Sequence, residues 1–164
     1  MRLMLDTLLA LMLAAILVGV VFHRRSDQAV NQSRETTRME LRRFQQQISL
    51  QSALGKVERT ERGYPLTIDP EWFQGNLPSN PLLGAEHPWV EIASPEQELL
   101  MHPQERVASG KNVAKFWYNP YAGVVRARVP VGLSDTASLE LYNFVNETHL
   151  PTLFADGMRK STAK

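Results

Sequence analysis

The residues best able to bind a metal or move a proton are His23, His87, His102 and His149, and they lie far apart along the chain. A zinc or acid–base centre needs ligands at short helical or loop spacing, and none of the four has such a neighbour. The chain has no cysteine, which removes disulfides, thiol nucleophiles and Cys-ligated zinc together without identifying a compartment. "STAK", residues 161–164, spells a Ser-x-x-Lys nucleophile motif in a tail that is expected to fray. "SGK", residues 109–111, lacks the preceding glycines of a phosphate loop, and the sequons "NQS" and "NET" are short enough to arise by chance. Phe116, Trp117, Tyr118 and Tyr121 beside Arg126 and Arg128 have the composition of a stacking face for single-stranded nucleic acid. Strand alternation sends some of those rings into a core instead. No nucleophile, base and orienting group can be assembled, so the chain is not expected to be an enzyme and no cofactor or metal is expected.

The carboxylate that demands an explanation is Asp6. It interrupts "MRLMLDTLLALMLAAILVGVVFHRR" just before an unbroken apolar run over residues 8–22. A helix over residues 3–22 would be about 30 Å long, enough to cross the hydrocarbon of a bilayer. The run ends in "VGVVFHRR" without the small-x-small site of a cleaved signal, so a spanning anchor over residues 1–23 is expected. Arg2 precedes the run and Arg24, Arg25, Arg34 and Arg38 follow it, so a positive-inside count places the following segment in the cytoplasm.

The elements that must carry these residues follow from composition and period. With 164 residues, a net charge of +1 and 43% hydrophobic residues, the chain suits one modest domain plus an appendage. Residues 24–62 are rich in Gln, Arg and Glu and free of proline, which predicts an amphipathic continuation of the first helix. Gly63 and Pro65 are its expected stop. Spacing of about 100° per residue puts Val30, Leu41, Phe44 and Ile48 on one packing face, with Leu50, Leu54 and Val57 near the opposite side. A second set of neighbours, or a break near residues 45–47, would account for the change of face. On the flanks, Arg24, Arg34, Arg38 and Arg42 cluster, and Glu35 to Arg38 and Glu40 to Arg43 have pairing distance.

Beyond Gly63 short runs divided by Pro and Gly predict a globular head over residues 63–154, then a flexible tail over 155–164. Strands are expected over residues 89–93, 98–102, 114–118 and 124–129, with "NPYAG" turning between the last two in a small antiparallel sheet. "SDTASLELYNFVNETHLPTL" predicts a helix capped by Ser134 or Asp135.

The acid and apolar start, the polar continuation, "SALGKVERTERGYP", "LPSNPLLGAEHPWVEI" and "FWYNPYAGVVRARV" occur in an order that resembles the type IV pilin and type II secretion pseudopilin superfamily. The G-Y-P junction and the "YNP-x-x-G-x-V" hairpin are most similar to major pseudopilins. The resemblance covers most of the chain. It implies an α+β, pilin-like fold: a long N-terminal helix, membrane-spanning in its first half, packed on a small antiparallel β-sheet head. It also implies a structural subunit of a secretion pseudopilus or type IV pilus in the bacterial cytoplasmic membrane, with the head on the periplasmic or extracellular side. The implied partners are like subunits, an assembly platform and membrane lipid, with no nucleic acid. In the family an acid near the mature start meets the N-terminal amine of a neighbour during assembly, and Asp6 is the matching residue. The rival reading places Asp6 in the headgroup layer at the helix end. Family precursors carry a Gly before an apolar first mature residue, and "MRLMLDTLL" has none. Some pseudopilins hold calcium in the head, but Asp135, Glu140 and Glu147 are too dispersed to make a carboxylate cage. The alternative function is a monomeric, membrane-tethered binding module for protein or nucleic acid.

Overall fold

A computed structural model describes residues 2–154, although in the first half of the helix many side chains, Asp6 and His23 among them, fall outside the description, as does the whole tail over 155–164. The first element, α1, runs unbroken over Arg2–Leu54. At about 1.5 Å per residue it is about 80 Å long. No break occurs at residues 45–47. Contacts divide the chain into two units, Met1–Ser33 and Arg34–Lys164. The first holds helix only, and its described side chains from 12 to 32 are all exposed. Among the described residues no helix is long and apolar enough to cross a membrane.

The helix stops earlier than Gly63 and Pro65 would have it. Gly55 takes a left-handed φ of 66°, and its N–H reaches back to the Gln51 carbonyl at 3.2 Å. Arg59 Nη1 donates to the freed carbonyl of Ser52 at 3.2 Å. The glycine after Leu54 therefore ends the helix, because only a residue without Cβ enters that conformation cheaply. Gly63 and Pro65 instead shape a tight loop. Thr60 N–H donates to Tyr64 O at 2.8 Å, Gly63 N–H to Thr60 O at 2.9 Å, and Arg59 bridges Pro65.

In the second unit the strands are β1 (Val90–Ile92), β2 (Val107–Ala108), β3 (Phe116–Asn119), β4 (Val124–Ala127) and β5 (Val129–Pro130), followed by α2 (Asp135–Asn146). The sheet order is β1-β3-β4. β3 and β4 form the expected antiparallel hairpin, Phe116 opposite Ala127, but β1 joins β3 in parallel, and β2 pairs β5 in parallel. The architecture is thus α+β with small mixed sheets, not an antiparallel one. The physical reason is the connection: about 23 residues separate β1 from β3, enough chain to return and enter in the same direction. Residues 98–102 form turns instead of a strand.

Leu41, Phe44 and Ile48 of α1 are buried against this sheet with Phe116, Val125 and Ala127. Phe44 stacks on Trp89 with ring centroids 5.3 Å apart and meets Phe73 and Phe116 edge-on. Val30 does not join them. It lies in the first unit and is 53% exposed. Ser134 caps α2, its hydroxyl accepting from Ala137 N–H at 3.1 Å.

The outer edge of β4 is closed by side chains. Gln45 of α1 donates to Gly123 O at 2.8 Å and accepts from Val125 N–H at 3.1 Å. Asn146 of α2 continues the ladder, accepting from Ala127 N–H at 2.8 Å and donating to Ala127 O at 2.9 Å. Replacing Asn146 with Ala leaves both groups of Ala127 buried and unpaired. We expect Asn146→Ala to lose about 2–4 kcal/mol of head stability by urea denaturation. A loss under about 0.5 kcal/mol would mean that water replaces the amide there.

Candidate assembly surface

Asp6 lies in α1, and its side chain falls outside the described residues. The other residues singled out above are placed by the head. Leu41, Phe44 and Ile48 face the core, while Met39, Leu50 and Leu54 on the other side of α1 are exposed. Arg43 and Gln47 lie between those exposed residues and bond the Asn76 and Trp72 carbonyls of the head, and Val57, expected on this face, lies beyond the end of α1. Gly63 and Pro65 tie the loop after α1 to the hairpin: Tyr118 OH donates to Pro65 O at 2.8 Å, and Thr60 Oγ1 to Pro120 O at 3.3 Å. Gly123 completes this joint, since a Cβ there would come within 2.3 Å of the Tyr64 ring.

The expected flank pairs are present, Arg38 to Glu35 at 3.9 Å and Arg43 to Glu40 at 3.3 Å. A longer-range contact joins them. Glu147, the left-handed C-cap of α2, pairs with Arg38 at 3.2 Å and also with Arg42. Arg34 and Arg38 both lie over the Phe144 ring, 5.3 and 5.1 Å from its centroid. Exposed ion pairs contribute little each, so the half-buried Phe144 ring, packed against the core, is the larger part of this contact between α2 and α1.

The nucleic-acid face does not form. Phe116, Trp117 and Tyr118 are fully buried, so no stacking surface is displayed. Arg128 is buried too, donating to Glu105 O at 2.8 Å, to Ala114 O at 3.1 Å and to the Glu91 carboxylate at 2.7 Å. Among the described residues no group of three His, Cys, Asp or Glu could hold a metal ion. His87 bonds the Val113 carbonyl at 2.9 Å.

Sequence reasoning named His102 but not its partner. Its Nδ1 lies 3.1 Å from the Tyr142 hydroxyl, and Arg126 Nε donates to the neighbouring Met101 O at 3.1 Å. Burial, then the positive charges of Arg126 and Arg106, push its pKa down to about 4. Burial likewise raises Tyr142 and lowers Arg126. A neutral ring sharing a bond with a protonated phenol clasps the segment after the 94–101 turn to α2. No signal in the sequence, where 40 residues separate His102 from Tyr142, points to this pair.

No known family, curated protein or solved structure matches the chain.

The histidine carries a pH consequence. Its folded pKa lies below the unfolded value, so the unfolded chain binds the proton first as pH falls. The contribution is intact above about pH 6.5 and is lost progressively down to about pH 4. With the ring part-exposed to water, the loss is about 1–2 kcal/mol. Urea midpoints at pH 7 and pH 4.5 should fall further for the wild type than for His102→Gln; equal falls would mean that other groups govern the acid limb.

Proposed function

We propose that this chain is a membrane-anchored, pilin-like structural subunit that assembles through α1 into a filament of the secretion-pseudopilus or type IV pilus kind. The observation that carries the reading is the uncovered helix. Met12, Leu13, Ile16, Leu17, Val18 and Phe22 are 58 to 77% exposed, and apolar surface on that scale calls for lipid or protein cover. One 53-residue helix joins those residues to the face that packs on the head, so cover for one half and a fold for the other belong to the same element. The order of motifs quoted above supports the same reading, as does a head held together by buried rings and amides.

On this reading Asp6 is the residue whose burial in apolar surroundings is relieved by a neighbour. An unpaired carboxylate at a membrane edge costs a few kcal/mol, and an ammonium beside it offsets that cost. Assembly would then be the state in which the acid is satisfied. Lipid serves as the reservoir of subunits, and like chains and an assembly platform are the partners. The head stands on the periplasmic or extracellular side, the placement that a filament growing outward requires.

Because the chain has no cysteine, introduced pairs report cleanly. Full-length protein carrying Leu9→Cys with Leu17→Cys, oxidised in bacterial membranes, should give a ladder of multimers that collapses on Asp6→Ala. Monomers alone, with the head still in the membrane fraction, would overturn the filament and leave a tethered binding module as the better account.

A further inference from the structure

Two surfaces of the head are complementary to each other and lie on opposite sides of α2. Between Arg62 and Arg106 the sequence has seven carboxylates and neither Lys nor Arg. Within that stretch the turn that follows β1 displays Glu96 and Glu98, neither of which has a cationic side chain within 4 Å among the described residues. The same turn exposes Leu99 at 80% and Met101 at 51%. It is held rigidly, because Asn119 Nδ2 donates to the carbonyls of Gln97, Glu98 and Leu100 at 2.8 to 3.1 Å. An acidic, apolar tip on a fixed backbone is a preorganised ligand.

The second surface is an open groove between α1 and α2, lined by Arg38, Phe144 and His149 among others. Arg34 lies over the same Phe144 ring. Its Nε is buried without an acceptor, and among the described residues it has no carboxylate within 4 Å. Glu147 in the groove is already taken by Arg38 and Arg42, so it does not neutralise Arg34. Glu140 is the remaining acid there and is exposed. A buried guanidinium N–H without an acceptor is costly, and a carboxylate delivered beside the Phe144 ring would satisfy it.

We infer that the turn over residues 94–101 of one copy docks in the α1–α2 groove of a second copy, Glu96 or Glu98 meeting Arg34 and Leu99 covering Phe144. The inference rests on the filament reading and names the head contact within it. In its own chain the turn is tied to the other side of α2, its end held by Arg126 and the adjoining His102 by Tyr142, whereas Glu140, Asn143, Phe144 and Glu147 line the groove on the far face of that helix, so a chain does not fill its own groove. Because the two surfaces differ, the contact is head-to-tail, the kind that propagates into a filament when the rotation between copies does not close a ring.

The test places Leu99→Cys and Glu140→Cys, both exposed positions, in the full-length chain in membranes. Oxidation should give dimers, trimers and longer ladders from the double variant, and no species beyond a dimer from either single one. Arg34→Glu added to the pair should cut the ladder about tenfold, and Glu96→Arg with Glu98→Arg should restore it. A ladder indifferent to Arg34→Glu overturns the contact. So does the absence of this ladder while the helix pair of the preceding subsection still crosslinks, and in that case the filament reading stands. Loss of both ladders overturns both.

Discussion

The head depends on the closure of one strand edge. β4 is four residues long and lies at the end of its sheet, where its outward N–H and C=O groups would otherwise face solvent or another chain. Gln45 and Asn146 take those groups at alternate positions, 123 and 125 from one helix and 127 from the other. Two amides thus act as a surrogate strand. Because each amide belongs to a different helix, the same bonds fix how α1 and α2 lie along the sheet. The aromatic packing of Phe44 adds buried apolar area, but it is non-directional and would tolerate a slide along the helix. The amides set the register.

The same device recurs wherever the chain is irregular. Asn80 accepts from Thr37 Oγ1 at 3.1 Å and donates to the carbonyls of Lys115 and Arg128 at 3.2 and 2.8 Å. Arg128, almost fully buried, joins three separate segments through Glu91, Glu105 and Ala114. Strands of two to four residues cannot supply enough ladder bonds to hold loops of this length, and buried side-chain donors do it in their place. The cost is that each hub is brittle, since removing one partner leaves the others unpaired in a dry site.

These facts explain what could be read from the sequence. Periodicity exposed Leu41, Phe44 and Ile48 as one face, the YNPYAG turn announced the β3–β4 hairpin, and Ser134 announced α2, because each signal is local. The helix end was misplaced because Gly55 is followed by residues that favour helix, and its left-handed cap is visible only in backbone angles. The parallel entry of β1 has no local signal, since alternation is the same in either direction. Gln45, Asn80, Asn146 and His102 were invisible for a common reason: a polar residue in a helix or loop reads as surface until its distant partner is known. The aromatic run over residues 116–118 misled in the opposite way, because the second face of the sheet is covered as well and Trp117 is buried with Phe116 and Tyr118.

The covering of that second face also bears on where interaction surface is left. With both faces of the sheet buried and the β4 edge closed, the head offers partners its helices and turns and little of its sheet. On α1 the outward side carries Met39, Leu50 and Leu54, about half a turn away from the buried stripe. A helix in an ordinary globular domain would be polar there, because one apolar stripe is enough to hold it to its core. Polar residues do share that side, and Arg43 and Gln47 there bond the Asn76 and Trp72 carbonyls of the head. Met39, Leu50 and Leu54 lie within the head's own length of helix and beyond the first unit. They are the part of the second unit's helix that the sheet leaves uncovered.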